Sequence, residues 1–447
     1  NAINGDFSFI DSAEDYLRLY IYMLPYREEG LVVEYNVTSP DFHYPVGAIK
    51  TGEELTISFK VLCETPDEAF LRIYQDNREP VEYKMISQGD VFTVTIPGFE
   101  KPQAMWYNFR LTRGEHTVWL CPDETGLLGK IYDYSVGSFR QTVYLADFKT
   151  PKWFKKAVMY QIFPDRFARS DDDTAQKGLA YHRSLGQSPE YHESIFDVPR
   201  WYAKEGEKDY FPDDFYGGTF KGIQNKLPYL KDLGISCIYL NPVVEARSNH
   251  RYDTSDYTRP DPILGTMEDF EKLCATAMEM GIRIIIDGVY SHTGSDSIYF
   301  NRYGNYEGRG ACQGMKSDYY DWFDFKEFPN EYRAWWGIKD LPEVEETNPR
   351  WQDFIINGEN SIVKSWLRHG ASGWRLDVAD ELPDEVLNLI RIATKSVDPE
   401  CLVMGEVWED VVTHISYNKR REYGLGYSLD SVMNYPFRIA MLDFMHR

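Results

Sequence analysis

The stretch GWRLDVAD, residues 373–380, places two opposite charges inside an apolar run. Arg375 and Asp377 stand two positions apart, and in a β-strand that spacing puts both side chains on one face. Apolar Leu376 and Val378 alternate with them and would bury the opposite face under helices. Buried charges are costly unless they are paired. The stretch therefore predicts a buried strand whose end opens into a polar site.

A strand–helix alternation extends from about residue 157 onward. Short apolar runs alternate with stretches of 3.6-residue apolar spacing that end at glycine. The predicted strands are 157–164, 235–242, 282–290, 373–380, 401–408 and 429–435, and the predicted helices are 220–234, 266–281 and 357–370. Such alternation indicates an α/β fold with a parallel sheet covered on both faces. An open doubly wound sheet and a TIM-type (β/α)8 barrel both fit this pattern.

The first 150 residues have a different pattern. Alternation over 91–97 and 106–120, with a hairpin turn between the two halves of the second stretch, favours strands and not helices. We expect an N-terminal β-sandwich over 1–150 and a catalytic unit over 151–447. An aromatic-rich stretch between the third and fourth predicted strands predicts an inserted subdomain at about 295–350, whose rings either fill its own core or flank a site.

Composition excludes some classes of function. The net charge of −23 argues against binding to a nucleic-acid backbone or to an anionic membrane surface. No run of 18 apolar residues predicts a membrane span. The 15% aromatic content fits either heavily aromatic cores or a carbohydrate enzyme. Six cysteines without C-x-x-C spacing suggest buried free thiols and a cytoplasmic location, with an extracellular one as the alternative.

Three carboxylates fall late in predicted strands. These are Asp287, Asp377 and Glu406, and the carboxyl ends of barrel strands form the catalytic face. One ionised and one protonated carboxyl group can together cleave a glycosidic bond. Arg375 is expected to lower the pKa of Asp377, and apolar neighbours are expected to keep Glu406 protonated. The alternative for each residue alone is a strand-end ion pair or cap.

Several short motifs carry a resemblance to a known family. DGVYSH (287–292), LPEV (341–344), GWRLDVADE (373–381) and GEVW (405–408) resemble the signatures of the α-amylase superfamily, whose members are retaining α-glucan enzymes on TIM barrels. AVMYQIFPDRF (157–167) and NHRYDTSDY (249–257) are most similar to its neopullulanase, cyclomaltodextrinase and maltogenic amylase branch. In that branch a β-sandwich module precedes the barrel, so the resemblance implies a TIM-type barrel here.

The resemblance also implies roles for individual residues. It makes Asp377 the nucleophile, Glu406 the general acid/base and Arg375 the group that orients Asp377. The implied substrate-binding residues are His292 and Tyr252 at the subsite before the cut, His250, Asp287 as holder of the architecture, and Glu381 near the acceptor side. Asp380 stands where the branch usually has asparagine.

The implied activity is hydrolysis of α-1,4-glucosidic bonds in starch-derived oligosaccharides, cyclodextrins or pullulan by double displacement. A transglycosylase, an α-1,6-active debranching member and a catalytically inactive glucan-binding relative are the alternatives. A glucan is the expected partner, with no nucleic acid or membrane. The N-terminal module is expected to serve a homodimer, while binding of insoluble starch by that module is the alternative.

Two departures from the family pattern qualify these expectations. The fourth signature, which holds the third carboxylate, does not occur before Arg447, so about six barrel strands are present. We expect the chain to belong to a longer polypeptide and to catalyse poorly alone.

The chemistry requires no cofactor. Structural calcium is the second question: Ser291 replaces a frequent asparagine, and Arg169 stands in a loop, 168–178, whose Asp171, Asp172 and Asp173 either bind calcium or are solvated.

Overall fold

The computed structural model describes residues 30–207 and 209–446. The chain forms two compact units, the first ending at Ala146 and the second beginning at Asp147. Each unit has a hydrophobic core of its own.

The first unit is built from two sheets whose strands pair antiparallel, except for the parallel pair β12 and β3. One sheet has the order β1-β4-β8-β7 with β2 beside β4, and the other has the order β11-β10-β9-β12-β3 with β5 on β9 and β6 on β5. The strands are β1 (Val32–Glu34), β2 (His43–Tyr44), β3 (Ile49–Lys50), β4 (Leu55–Cys63), β5 (Glu68–Tyr74), β6 (Val81–Lys84), β7 (Ile86–Gln88), β8 (Val91–Ile96), β9 (Gln103–Arg113), β10 (His116–Pro122), β11 (Gly129–Tyr132) and β12 (Phe139–Tyr144).

Alternation explains why these residues form strands. In β4, Leu55, Ile57 and Phe59 are buried, and Phe59 stacks on Phe92 of β8 with ring centroids 5.2 Å apart. Apolar residues from both sheets enter one core. The predicted sheet-rich N-terminal part is confirmed, and the predicted hairpin lies between β9 and β10.

The second unit alternates strands and helices. Its strands are β13 (Met159–Ile162), β14 (Glu190–Tyr191), β15 (Asp214–Phe215), β16 (Cys237–Leu240), β17 (Val244–Ala246), β18 (Thr254–Pro260), β19 (Arg283–Gly288), β20 (Phe325–Glu327), β21 (Glu331–Tyr332), β22 (Gly373–Leu376), β23 (Leu402–Gly405), β24 (Ile415–Ser416), β25 (Lys419–Arg420) and β26 (Ser431–Val432). Its α-helices are α1 (Pro164–Phe167), α2 (Thr174–Ser184), α3 (Phe220–Asp232), α4 (Met267–Glu279), α5 (Pro349–Gln352), α6 (Ile362–Arg368), α7 (Asp384–Val397) and α8 (Tyr435–His446). Short 3-10 segments lie at Phe154–Lys156, Ala311–Gln313, Tyr320–Trp322 and Trp335–Gly337, and a π-helical segment lies at Asp353–Asn357.

Six strands of this unit form one parallel sheet in the order β13-β16-β19-β22-β23-β26. Spatial order follows chain order, and α3, α4, α6 and α7 come between successive strands, as in a TIM-type barrel. Local signals set the helix starts. Thr219 caps α3 through Gly222 N at 2.9 Å, and Thr266 with Asp269 forms a capping box on α4. The predicted α/β barrel fold is thus confirmed.

The strands are shorter than their apolar runs predicted. β22 ends at Leu376, and Val378 has a left-handed backbone with φ of 39°. Trp374 does lie under a helix, since its Nε1 donates to the carbonyl oxygen of Val363 in α6 at 3.2 Å. The expectation that Val378 shares that buried face is wrong, because the chain leaves the sheet before it.

The segment between β19 and β22 returns to the end of β19. Thr293 N donates to the carbonyl oxygen of Pro342 at 3.0 Å, and Val344 N donates to that of Ser291 at 3.0 Å. Some of its aromatic rings, among them Tyr299, Phe300 and Trp322, are buried in one core, while Tyr303 and Trp336 are exposed. No helix in the described part of the chain is long and apolar enough to cross a bilayer.

Candidate active site

A cavity of about 490 Å³ opens at the carboxyl ends of the parallel strands. Its lining includes Arg375 of β22, residues that come directly after β22 and β23, and residues of the segment that follows β19. The lining residues are Tyr210, Phe211, Pro212, His250, Tyr252, Asp253, His292, Trp335, Ile338, Asp340, Leu341, Arg375, Asp377, Val378, Glu406 and Trp408. Aromatic walls with convergent charged groups are typical of a site for a neutral, partly apolar ligand.

Arg375 lies at the centre of the charged groups. Its Nη1 donates to Asp377 Oδ1 at 2.8 Å and to Asp287 Oδ1 at 2.8 Å, and its Nη2 lies 2.6 Å from Glu406 Oε2. Asp287 and Arg375 are register partners in neighbouring parallel strands, which explains the contact between them. One guanidinium thus serves three carboxylates, so the cluster carries excess negative charge.

Asp377 follows the last residue of β22 directly and is buried. Burial raises the pKa of its carboxyl group, and the charges of Asp287 and Glu406 raise it further, while Arg375 opposes both effects. Arg375 lowers the pKa of Asp377 as expected, but burial and the two neighbouring carboxylates raise it more, so the net shift is upward. The attraction between Arg375 and the Asp377 carboxylate offsets part of the cost of burying that charge, but not all of it.

Glu406 follows the last residue of β23 directly. Its Oε2 accepts from Val378 N at 3.0 Å in addition to Arg375, and its Oε1 accepts from Trp408 Nε1 at 3.1 Å and from Tyr435 Oη at 3.4 Å. The apolar setting predicted for Glu406 is therefore incomplete. An arginine and a backbone amide contact Oε2, so this oxygen lies in a polar environment.

Asp287 is saturated with hydrogen bonds. Besides Arg375, its Oδ2 accepts from Tyr239 Oη at 2.5 Å and from Tyr252 Oη at 2.9 Å. Asn241 Nδ2 in turn donates to Tyr252 Oη at 3.1 Å. These bonds leave Asp287 suited to hold the arginine and Tyr252 in place.

His292 presents an unsatisfied polar atom. Its Nδ1 lies 2.9 Å from Ser291 Oγ, while its buried Nε2 has no hydrogen-bond partner in the described protein. Burial lowers the pKa of His292 to about 4, so the ring is neutral near pH 7. A sugar hydroxyl at the cavity side would satisfy Nε2.

His250 and Tyr252 lie on the same wall of the cavity. Tyr252 N donates to His250 Nδ1 at 3.1 Å, and the two ring centroids are 5.8 Å apart. Burial lowers the pKa of His250 to about 4, and the charges of Arg251 and Arg166 lower it further. Both histidines are thus neutral hydrogen-bonding groups that add no charge to the site.

Glu381 does not line the cavity. Its Oε2 accepts from Trp335 Nε1 at 2.7 Å, and its Oε1 accepts from Trp336 Nε1 at 3.0 Å. Trp335 lines the cavity, with its ring 5.6 Å from that of His292. The structure thus brings Asp377, Glu406 and Arg375 together with the other predicted residues of the site but places Glu381 behind two indoles.

Sequence reasoning missed several residues that line the cavity or support its lining. Tyr239 and Asn241 lie within a predicted strand, and its alternation could have indicated the face that Tyr239 shares with Asp287. Trp335 and Leu341 come from the inserted segment, where many aromatic residues gave no local signal of which would reach the site. Their position depends on the pairing of 342–344 with the end of β19.

Two basic side chains occupy oxygens at the loop predicted as a calcium candidate. Arg169 occupies its carbonyl-rich side: its Nε donates to the carbonyl oxygen of Tyr216 at 2.6 Å, its Nη1 to that of Glu193 at 2.7 Å, and its Nη2 to that of His192. Lys221 Nζ donates to Asp172 at 2.9 Å and lowers the pKa of that carboxyl group. Side-chain cations thus already pair with Asp172 and with three carbonyl oxygens next to this loop.

A second group of ligand atoms lies elsewhere. Asp380, Glu409 and His414 each offer one atom, all within 4.8 Å of one another. Calcium takes six to eight oxygen ligands, so two carboxylates and an imidazole do not match it.

Comparison with known proteins finds one matching family model and several related enzymes. The family model described as the catalytic domain of alpha-amylase matches residues 161–447. An amylopullulanase of Thermoanaerobacterium saccharolyticum is 38% identical over 92% of this chain and 34% of its own length. Neopullulanase 2 of Thermoactinomyces vulgaris is 33% identical over 66% of this chain and 45% of its own length.

A solved cyclomaltodextrinase structure covers 92% of this chain and 65% of its own chain, with a TM-score of 0.57. Its 24% identity supports likeness of fold alone. The chain thus spans about a third of the length of the amylopullulanase that it matches.

Proposed function

The chain belongs to the alpha-amylase family, and from that membership we propose that the protein hydrolyses α-1,4-glucosidic bonds with retention of configuration. Starch-derived oligosaccharides, cyclodextrins and pullulan are the proposed substrates. One observation carries the proposal: Asp377, Glu406 and Asp287 converge on Arg375 at the carboxyl ends of three neighbouring parallel strands. We propose this activity for the whole protein in which this chain occurs.

Asp377 is the nucleophile of the proposed double displacement. Its carboxylate attacks the anomeric carbon, and Glu406 donates a proton to the leaving glycosidic oxygen. The resulting glycosyl ester on Asp377 is then hydrolysed by a water molecule that Glu406 deprotonates. Because Arg375 contacts both carboxylates, it holds them in one geometry during both steps.

The proton-donating role requires that Glu406 take up a proton. Arg375 and the Val378 amide contact Oε2, while Trp408 and Tyr435 contact Oε1. These contacts hold the whole carboxyl group of Glu406 in place. The chemistry uses carboxylates only, and no step is assigned to calcium.

Neutral groups bind the sugar hydroxyls in this proposal. His292 offers its unpartnered Nε2, and Tyr252, whose hydroxyl is tied to Asp287, offers its ring face to the same sugar. His250 completes this wall of the cavity. A neutral glucan suits such a wall because it brings no charge that would need burying.

Cleavage of α-1,6 bonds is a second candidate function. The similarity to an amylopullulanase over 92% of this chain favours pullulan as the polymer to test. Pullulan consists of maltotriose units joined by α-1,6 bonds, so α-1,6 cleavage releases maltotriose. Cleavage of its α-1,4 bonds releases panose or isopanose, and chromatography of the products separates the two candidates.

We also propose a partner and a location. The partner is a second copy of the chain, bound through the N-terminal unit, and binding of insoluble starch by that unit is the alternative. A cytoplasmic location rests on the six free cysteines, four of which are buried.

The direct test compares wild type with Asp377→Asn on maltoheptaose. Loss of the nucleophile should reduce the release of reducing ends by about a thousandfold or more. Asp443→Asn on α8 is the matched control and should retain activity. Equal activity in wild type and Asp377→Asn would contradict the assignment, and an inactive wild type would favour a glucan-binding relative.

A further inference from the structure

Two adjacent tryptophans form a ledge that runs outward from the cavity. Trp335 lines the cavity beside His292, and Trp336 stacks on Trp335 with ring centroids 5.2 Å apart and an interplanar angle of 21°. Trp336 is 69% exposed. Two stacked indoles that continue outward from a binding cavity form an exposed apolar surface, and such a surface often serves as a ligand-binding site.

The backbone holds Trp336 in an unfavourable conformation. Its φ of 50° and ψ of 25° lie in the left-handed region, which bulky residues rarely adopt. Such residues cluster at ligand-binding positions, where surrounding contacts maintain them. Here the maintaining contact is the bond from Trp336 Nε1 to Glu381 Oε1 at 3.0 Å.

Glu381 clamps both indoles. Each of its carboxylate oxygens accepts from one indole N–H, at 2.7 Å from Trp335 and 3.0 Å from Trp336. The Tyr417 hydroxyl contacts the Glu381 carbonyl oxygen and ties the clamp to the loop before β25. Because each oxygen accepts from an indole, the carboxylate of Glu381 is held against the two rings.

We propose that Trp335 and Trp336 form an outer glucosyl-binding platform, and that Glu381 is the positioning residue that fixes it. The ligand is a glucosyl unit of the same chain that enters the cavity. Its apolar face stacks on the indole, while its hydroxyls stay in water. This inference rests on the proposed function and deepens it, because it assigns the subsite that selects longer glucans.

The first experiment removes the outer ring. Trp336→Ala should raise KM for maltoheptaose by about tenfold, as expected for loss of one aromatic anchor, with kcat changed less than about twofold because the reacting groups are untouched. The matched control is Trp201→Ala, since Trp201 is 70% exposed and does not line the cavity. An unchanged KM in Trp336→Ala, with active wild type, would overturn the platform.

The second experiment separates positioning from sugar contact at Glu381. Glu381→Gln leaves one oxygen acceptor for two indole donors, so it should raise KM in the wild-type background. In the Trp336→Phe background the single remaining acceptor suffices for Trp335, so the same substitution should have little further effect. An equal rise in KM in both backgrounds would show that Glu381 contacts the sugar, which would overturn its assigned role.

The third measurement needs no turnover. Titration of Asp377→Asn with maltoheptaose should change tryptophan fluorescence, and the part of that change due to Trp336 should disappear in the Trp336→Phe double variant. If wild type is inactive but this signal is present, the proposed function fails while the platform stands. If wild type is active and the signal is the same in both variants, the platform fails alone.

Discussion

The site depends on how one arginine divides its hydrogen bonds. Arg375 contacts Asp287, Asp377 and Glu406, and its guanidinium also lies over the Tyr239 ring at 5.5 Å. Its planar fork can serve several acceptors at once, which a lysine ammonium on a flexible stem cannot do in the same geometry. The positive charge of Arg375 in GWRLDVAD is therefore paired with Asp377 of the same stretch and with one carboxylate from each neighbouring strand end.

Arg375→Lys should impair catalysis and shift its pH dependence. Burial raises the pKa of Asp377 and Arg375 opposes that rise, so weaker opposition should raise the pKa further. Attack requires the ionised carboxylate, and activity is lost as pH falls through this pKa. The acid limb of kcat/KM should therefore move to higher pH, with a loss of about a hundredfold near neutrality.

The pH profile of kcat/KM on maltoheptaose checks this prediction. Arg391→Lys is the matched control, because Arg391 pairs with Asp430 at 2.5 Å and does not line the cavity. An acid limb that stays in place, or moves to lower pH, would contradict the electrostatic role of Arg375.

Residue-level prediction from the sequence succeeded where strand period determines geometry. Arg375 and Asp377 were predicted to lie together because positions i and i+2 share a face, and they do. The charge balance could not be predicted, because Asp287 and Glu406 come from other strands and raise the pKa of Asp377. Glu381 is a similar case, since its indole partners lie 45 and 46 residues away in the chain.

At the scale of elements, the strand ends that form the site and the loop after α1 are stabilised by different contacts. β19, β22 and β23 present Asp287, Asp377 and Glu406 at one edge of the sheet. The loop after α1 is instead held by Arg169, which donates to three backbone carbonyl oxygens and lies over the Tyr191 ring at 5.1 Å. An internal side-chain cation satisfies carbonyls that would otherwise be unpaired.

Arg169→Ala should destabilise this unit without a role for added metal. Loss of hydrogen bonds to carbonyls costs about 1–3 kcal/mol each when the acceptor stays buried, so loss of all three should lower Tm by about 5–15 °C. Treatment of wild type with EDTA should leave Tm unchanged. Calorimetry of wild type, Arg169→Ala and the exposed control Arg183→Ala, with and without EDTA, checks this. A fall in wild-type Tm on chelation would instead indicate a structural cation.

At the scale of the whole molecule, the fold was predictable because its signals are repeated along the chain. Six apolar strands alternating with glycine-ended helices indicated a parallel sheet, and the structure orders its six strands in chain order. Periodicity alone could not decide between an open sheet and a barrel, and the family motifs did so. The path of the inserted segment was beyond sequence reasoning, because the pairing of 342–344 with the end of β19 spans about fifty residues.

This chain matches only part of the length of its relatives. The family model matches 161–447, and the match to the amylopullulanase covers 34% of that protein. Activity measurements therefore belong on the protein in which these residues occur. The central claim, that Asp377 forms a covalent bond with the sugar, can be tested by a chemical label at a single residue.

The decisive measurement is trapping of the glycosyl-enzyme in Glu406→Gln with α-maltotriosyl fluoride. Fluoride departs without a proton donor as the Asp377 carboxylate forms the new bond, and hydrolysis of that ester is slow without the Glu406 base. Proteolysis and mass spectrometry should then find one maltotriosyl group on the peptide that carries Asp377. A label on Asp287 or another residue, or release of fluoride without any label under rapid acid quenching, would contradict the account.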